Sequence, residues 1–457
     1  MSDEPTKKKS APVYSFNPGV GMLSAPSNTK RNNFSLNNHG FLDQISVRPG
    51  ELPPIGPEIG PDPRNAEAKV HIPQMPVVDA KKNIRLDFCH GARLRAPKGN
   101  YIFRCIDMES EMVLEEYKYQ GEKDILTERK YYIPWRIQLI DADTKEVIFS
   151  HDYDCRGKDV IIVIPDGGLG DNLAWLPYVD EFQKERECNV TCICGEWLIR
   201  IVQEQYPNLK FVPVAGRPEI NAYACYFCAI FPKERKNWRP SDHQNFGMQG
   251  SVAKLLGLEP VPRKVKLKLD SPRPFKERFV CISTMATNPA KYWNYPDGWN
   301  IIIRRLKARG YRVMVIDRDH ELKFNDKIYT VPSEAEDMTG RLPITERIAL
   351  LQHADFFIGL PSGLSWLAWN CNIPVVMIAG FTLDGSEFPT PYRVTNFHFC
   401  HGCWNDSNLF FDMKVPVWCP RHLGTPREIE CTRVISPDMV ERAINRIPGI
   451  LPPVSEK

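Results

Sequence analysis

Four stretches of the chain place chemically useful residue types at useful spacings. The first is Asp166-Gly167-Gly168-Leu169-Gly170-Asp171-Asn172, which follows the apolar run Val160 to Ile164. Glycines there let the backbone turn tightly and approach a ligand closely. Gly168, Leu169 and Gly170 are therefore candidate ligand contacts. A helix opening after such a turn favours an anion or a hydroxyl-bearing ligand. Asp171 is then either a general base for an acceptor hydroxyl or an N-cap. The second stretch, Ser283 to Trp293, puts hydroxyls and one lysine after another apolar strand. That mixture suits a diphosphate, with Lys291 neutralising charge on a leaving group, although a solvated loop lysine would look the same. The third is Gly359-Leu360-Pro361-Ser362-Gly363-Leu364-Ser365-Trp366. Its amides at Ser362, Gly363 and Leu364 could hold phosphate, or Ser362 could simply cap a βα turn. The fourth is Cys400, Cys403, Cys419 and Cys431. A CxxC knuckle with two further cysteines in a short, loop-rich stretch signals a metal, and four thiolates select zinc or iron. A second CxxC, Cys225 and Cys228, lies in an apolar run and reads as core.

These groups need a frame. From Lys158 onward strand and helix alternate. Val160–Ile164, Val190–Cys194 and Phe211–Val214 read as strands, with helices over Leu173–Phe182 and Trp197–Gln205 between them. The basic, proline-containing stretch Glu259 to Pro274 reads as a link. Alternation then resumes with strands Phe279–Ser283, Arg312–Ile316, Phe356–Ile358 and Pro374–Ile378. Helices Asp297–Ala308, Ile344–Leu351 and Leu364–Trp369 separate them. Two such α/β lobes place a cleft between the carboxyl ends of their strands. Ahead of them, Ile84–Phe88, Tyr101–Ile106, Tyr131–Ile140 and Val147–Tyr153 read as a small antiparallel unit, a barrel or a sandwich. Residues 1–70 are rich in Pro, Asn, Ser and Lys and read as a flexible tail.

Composition narrows the function. At 457 residues, 42% hydrophobic and 25% charged, the chain is ordinary globular material for two or three domains. A net charge of +3 supplies no field that would draw nucleic acid. No run of about 18 apolar residues spans a membrane, and the opening MSDEPTKKKSAPVYSF lacks the apolar core of a secretory signal. The chain is expected in the cytoplasm, where fourteen cysteines serve as core residues or metal ligands rather than disulfides.

Taken together, GGLGD at Gly167–Asp171, AKYWN at Ala290–Asn294, GLPSGLSW at Gly359–Trp366 and the four-cysteine finger resemble the bacterial autotransporter heptosyltransferase family. That family is related to the glycosyltransferase family 9 lipopolysaccharide heptosyltransferases. The resemblance covers roughly residues 80 to 447. It implies an α/β fold of the GT-B type, with two Rossmann-like lobes, an N-terminal small β-barrel and a metal finger. The implied divisions are a β-barrel over 71–157, an acceptor-side lobe over 158–270 and a nucleotide-sugar lobe over 271–398. The finger would occupy 399–433 and a C-terminal helix and tail 434–457. The implied activity is inverting transfer of heptose from ADP-heptose to serine hydroxyls of autotransporter adhesin passenger domains. By the same resemblance Asp171 is the base and Lys291 the diphosphate contact. Glu321, or Asp317 at the strand end, serves the ribose, and Arg341 and Leu342 form the adenine-side loop. The four cysteines hold one structural ferric ion, with zinc as the alternative. A homo-oligomer is implied, a dodecamer in some members, without nucleic acid and without membrane insertion. Lipopolysaccharide heptosyltransferases carry a sugar-holding aspartate where this chain has Pro361. Another nucleotide-sugar transferase of this fold, or a non-catalytic metal-finger scaffold, are the alternative functions.

Overall fold

A strand that is apolar on both faces must be covered on both sides, as in a parallel sheet between helices. Asp159–Val163 is such a strand, buried from Val160 onward. In the computed structural model it lies at the centre of a parallel run. The order is Lys210–Pro213, Asn189–Cys194, Asp159–Val163, Ala224–Phe227 and Ile84–Cys89. The structure describes Glu58–Ile59, Val70–His71, Val77–Asp79 and residues 82–452, apart from 166, 215–221, 229–236, 325–326, 410, 413–414 and 416. Asp166 of the first motif therefore lies outside the described residues. So does the expected tail, except for a two-stranded pairing of Glu58–Ile59 with Val70–His71.

The second lobe is a wholly parallel sheet. Its order is Glu336–Asp337, Arg312–Val315, Phe279–Ile282, Phe357–Gly359, Val375–Ile378 and Arg393–Val394. Numbered within the lobe this is 3-2-1-4-5-6, the doubly wound order that opens a crevice at the strands' carboxyl ends. The two expected α/β lobes are thus present. The linking segment 259–274 contains neither helix nor strand and is strapped to both lobes. The Val265 amide donates to Asn370 Oδ1 at 2.6 Å and the Lys266 amide to the Tyr206 hydroxyl at 2.9 Å.

The N-terminal region departs from the expected barrel. Ile84–Cys89 is buried along nearly its whole length, on both faces, and joins the first lobe in parallel with Ala224–Phe227. A strand without a solvent face belongs inside a parallel sheet, so the lobe recruits it, and with it the antiparallel strands Arg93–Arg95 and Ile125–Leu126. Its one buried carboxylate, Asp87, is neutralised by Arg93, whose Nε donates to it at 3.2 Å. What remains is an antiparallel sheet ordered Val147–Asp152, Trp135–Asp141, Asn100–Asp107 and Val113–Gln120. Among the described residues no pairing joins its two edge strands into a barrel. Cys225 and Cys228 are fully buried, and burial pushes the Cys228 thiol up to about 12, as suits core residues.

Candidate active site

The strand Asp159–Val163 runs through Gly167 and Gly168 into the helix Leu169–Arg186, with Gly168 as its N-cap. Asp171 is thus not the cap; it lies in the first turn. Its carboxylate folds back over the glycines: a Cβ at Gly168 would stand 3.0 Å from Asp171 Oδ2, and one at Gly167 would stand 3.7 Å away. Gly168 therefore leaves the carboxylate its space. Asn172 fastens the turn, its side-chain amide donating to the Gly168 carbonyl at 3.1 Å.

The helix Gly363–Asn370 opens against this turn. A Cβ at Gly363 would lie 2.8 Å from Leu169 Cβ and 3.1 Å from the Gly170 amide nitrogen. One at Gly170 would lie 2.9 Å from the Trp366 ring. Two helix N-termini, each bearing free amides and a partial positive charge, meet where only glycine fits. Ser362 is the N-cap of the second helix but makes no capping bond. Its hydroxyl is buried with no partner among the described residues, an arrangement that leaves it for a ligand. Ser365 Oγ braces the turn by donating to the Leu360 carbonyl at 2.6 Å.

Lys291 ends the short turn Pro289–Lys291, which Asn288 caps by accepting the Ala290 amide at 2.9 Å. It is no freely solvated lysine: its ammonium lies 5.9 Å over the Phe381 ring. Burial lowers its pKa, opposed by the charges of Glu387 and then of Asp171. The candidate base thus lies near enough to the candidate diphosphate lysine for its charge to act on it.

Asp317 turns out to be committed elsewhere. Its Oδ1 accepts from Ser283 Oγ at 2.6 Å and the Met285 amide at 3.4 Å. Its Oδ2 accepts from the Thr284 amide at 2.7 Å and Thr284 Oγ1 at 2.9 Å. A carboxylate offers about four lone-pair positions, so all are in use, and Asp317 shapes the Ser283–Met285 turn rather than presenting itself to a ribose. Glu321 is exposed on the hairpin Glu321–Phe324 with Lys327–Thr330. Arg341 is exposed, and Leu342 is 42% exposed, in the loop before the helix Ile344–Leu351. The contacts described for Lys291 include none of these three. Arg347 organises their side of the lobe: its guanidinium donates to the carbonyls of Ile316 at 3.1 Å, Asp317 at 3.0 Å and Gly340 at 2.7 Å. Neither Arg347 nor Glu387 belongs to a motif, and nothing in the sequence marks them apart from their charge.

The other three cysteines of the finger lie near enough to Cys431 for their charges to act on it. Burial pushes the Cys431 thiol up to about 12, and Cys403, Cys400 and Cys419 each add to the rise. Thiols that oppose one another's ionisation in this way are a donor set that a multivalent cation would stabilise. Cys419 Sγ also accepts the Ile429 amide at 3.3 Å, a contact that steadies a thiolate ligand. A second grouping, Cys400, His422 and Glu430, has its ligand atoms within 4.8 Å of one another. Glu430 is engaged already, taking Arg427 Nε at 2.8 Å and the Cys400 amide at 3.1 Å, and Arg427 holds its carboxyl down at about 2. Cys400 is thus the cysteine that this geometry joins to His422 and Glu430, and Cys403, Cys419 and Cys431 do not share that grouping. The finger leans on the site: Asn288 Nδ2 donates to the Val415 carbonyl at 3.1 Å, and Ala290 packs with Phe381, Cys403 and Trp418.

Known proteins resemble this chain in sequence and in fold. The model of glycosyltransferase family 9 (heptosyltransferase) matches residues 247–407. Autotransporter heptosyltransferase TibC of Escherichia coli O78:H11 is 40% identical over 376 residues, covering 82% of this chain and 92% of TibC. The crystal structure of TibC, an iron-containing dodecameric glycosyltransferase, superposes with a TM-score of 0.79 over 82% of this chain and 98% of TibC's. TibC in complex with ADP-D-β-D-heptose gives 0.78. A protein described as the inactive autotransporter heptosyltransferase BimC of Burkholderia thailandensis is 37% identical over 380 residues, 82% of this chain and 88% of BimC.

Proposed function

Because the chain belongs to the autotransporter heptosyltransferase family, and is on that ground a glycosyltransferase, we propose that it moves heptose from ADP-heptose to serine hydroxyls of an autotransporter adhesin passenger domain. Asp171 is the general base. It takes the proton of the serine hydroxyl, whose oxygen attacks the anomeric carbon opposite the departing ADP, inverting that centre. Lys291 and the amides of Ser362, Gly363 and Leu364 stabilise the charge that collects on the diphosphate. Gly168, Leu169 and Gly170 hold the acceptor-side turn close to the reacting groups. Glu321, Arg341 and Leu342 form the ribose and adenine rim. The observation that carries this reading is the meeting of the Gly168–Asp171 and Ser362–Leu364 turns beside Lys291.

Cys400, Cys403, Cys419 and Cys431 would hold one iron ion, with zinc as the alternative. A four-thiolate ion supplies cross-linking rather than reactivity, because its coordination shell is closed. The chain assembles as a homo-oligomer, on the pattern of dodecameric TibC.

The reading is tested by intact mass of an adhesin passenger co-expressed with wild type or with Asp171→Asn. Wild type should add heptose units; Asp171→Asn should lose about 10²–10⁴ in rate while keeping its fold and its ADP affinity. Near-normal turnover by the variant would leave Asp171 a mere first-turn residue. An unmodified passenger with wild type, and no ADP release, would place the chain with inactive relatives such as BimC. Tighter calorimetric binding of a UDP-sugar than of ADP-heptose would make it another nucleotide-sugar transferase.

A further inference from the structure

We propose that Glu387 is a donor-sugar residue, its Oε1 receiving hydroxyls of the nucleotide-linked sugar. This rests on the donor reading above and names a residue which that reading leaves out. Glu387 follows the strand Val375–Ile378 on a loop at the carboxyl edge of the second sheet, the side on which such sheets bind ligands. One of its oxygens is fixed: Oε2 accepts Arg393 Nη1 at 3.0 Å and Thr382 Oγ1 at 3.2 Å. Arg393 is itself held by the Thr382 carbonyl at 2.8 Å. Among the described residues no donor reaches Oε1, although the side chain is only 6% exposed. Oε1 is the part of this nearly buried carboxylate that keeps access to solvent, and so to a ligand donor.

Its surroundings say what fills it. The same loop carries Phe381, under the Lys291 ammonium. The carboxylates whose charges act on that ammonium are Glu387 and then Asp171. The loop also touches the acceptor lobe. The Met248 amide donates to the Ser386 carbonyl at 3.2 Å, and a Cβ at Gly247 would overlap the Gly385 carbonyl oxygen at 1.8 Å. Glu387 therefore stands on the loop that carries the ring under the diphosphate lysine and that meets the acceptor lobe, on the side where the donor sugar would sit. The diphosphate is an anion and would be repelled by it. A polyhydroxylated ring offers neutral donors, and a carboxylate takes such donors in charge-assisted bonds.

Calorimetry with the full-length, metal-loaded protein, titrating ADP and ADP-heptose separately into wild type and Glu387→Gln, tests the assignment. Loss of charge-assisted bonds should weaken ADP-heptose about 10- to 100-fold while ADP affinity stays put. Glu387→Asp, which keeps a charge for Arg393 but withdraws the oxygen, should lose part of the same preference and decides the matter if the glutamine variant does not fold. Equal weakening of both ligands would make Glu387 a residue acting through Lys291, and no change in either would leave it structural; both results overturn the assignment. Wild type binding ADP-heptose no better than ADP would instead sink the donor reading on which it rests.

Discussion

Gly363→Ala is a single-methyl test of how tightly the two lobes must meet. The new Cβ would stand 2.8 Å from Leu169 Cβ and 3.1 Å from the Gly170 nitrogen. Carbons in good contact lie about 3.5–4.0 Å apart, so the turns must part by about 1 Å. Neither obstacle is the flexible end of a side chain: one is a Cβ set by the backbone and the other is backbone itself. A displacement of about 1 Å between groups that act together can cost about 10²-fold in rate, or about 2.7 kcal/mol of barrier. The fold should lose about 1–3 kcal/mol, the usual cost of overpacking, and remain folded. The assay is the initial rate of ADP release in the presence of an adhesin passenger, with a thermal melt on the same sample. Gly167→Ala is the control, because its Cβ would meet nothing closer than the Pro165 carbonyl at 3.6 Å. It should cost less than about tenfold, since ordinary contacts need no displacement. A rate for Gly363→Ala within about threefold of wild type would refute the link between lobe spacing and chemistry. So would an equal loss at Gly167.

Lys291→Ala should weaken ADP-heptose binding and slow transfer together; unchanged ADP affinity with an unchanged rate would remove Lys291 from the site. Cys403→Ser should release the metal and also depress transfer, because Ala290, beside Lys291, packs on Cys403 and Trp418. Elemental analysis finding stoichiometric iron or zinc in that variant, or none in wild type, would contradict this. Burial, with the charges of Lys130 and Arg93 adding, holds the His90 pKa at about 3, below its ordinary value. The unfolded chain then takes up the proton first as pH falls. The stability that neutral His90 contributes is complete above about 6.5 and is lost as pH falls toward about 3, by up to about 1.4 kcal/mol per pH unit. His90→Gln should flatten that decline, and identical urea midpoints against pH for both proteins would count against it.

Much of the frame could be read from residue order. Ile344–Leu351 lies where its periodicity put it, and the strands at Asn189–Cys194, Arg312–Val315 and Val375–Ile378 fall within a residue or so of expectation, since their apolar runs have a single solution. Val113–Gln120 escaped because its alternation places Glu115 in the interior, where Arg129 neutralises it, and so hides the apolar face. The barrel expectation went astray at Ile84–Cys89, whose Arg85 and Asp87 look like a solvent face. Asp87 is in fact buried against Arg93, and pairing over long range is invisible in local composition. Asp317 looked like a ribose carboxylate from its place at a strand end. Only the three-dimensional turn at Ser283–Met285 reveals that its oxygens are occupied. Glu387 had no spacing to announce it, because its relation to Lys291 crosses nearly a hundred residues of chain.

Gly170 against Gly363 and Gly247 against Gly385 are two places where the main chain of one lobe rests on that of the other. Two resting points define a line, and the one rigid motion that disturbs neither is rotation about it. A motion of the lobes that kept both contacts would be a door's swing on its pins rather than a parting of jaws, and the straps of the 259–274 segment restrain even that. The reacting groups, close to one pin, would travel little and the far edge most. Nucleotide could then enter and leave by the far edge without the catalytic floor being taken apart and rebuilt in every turnover. The glycines would matter as much for how often the enzyme turns over as for where its atoms lie.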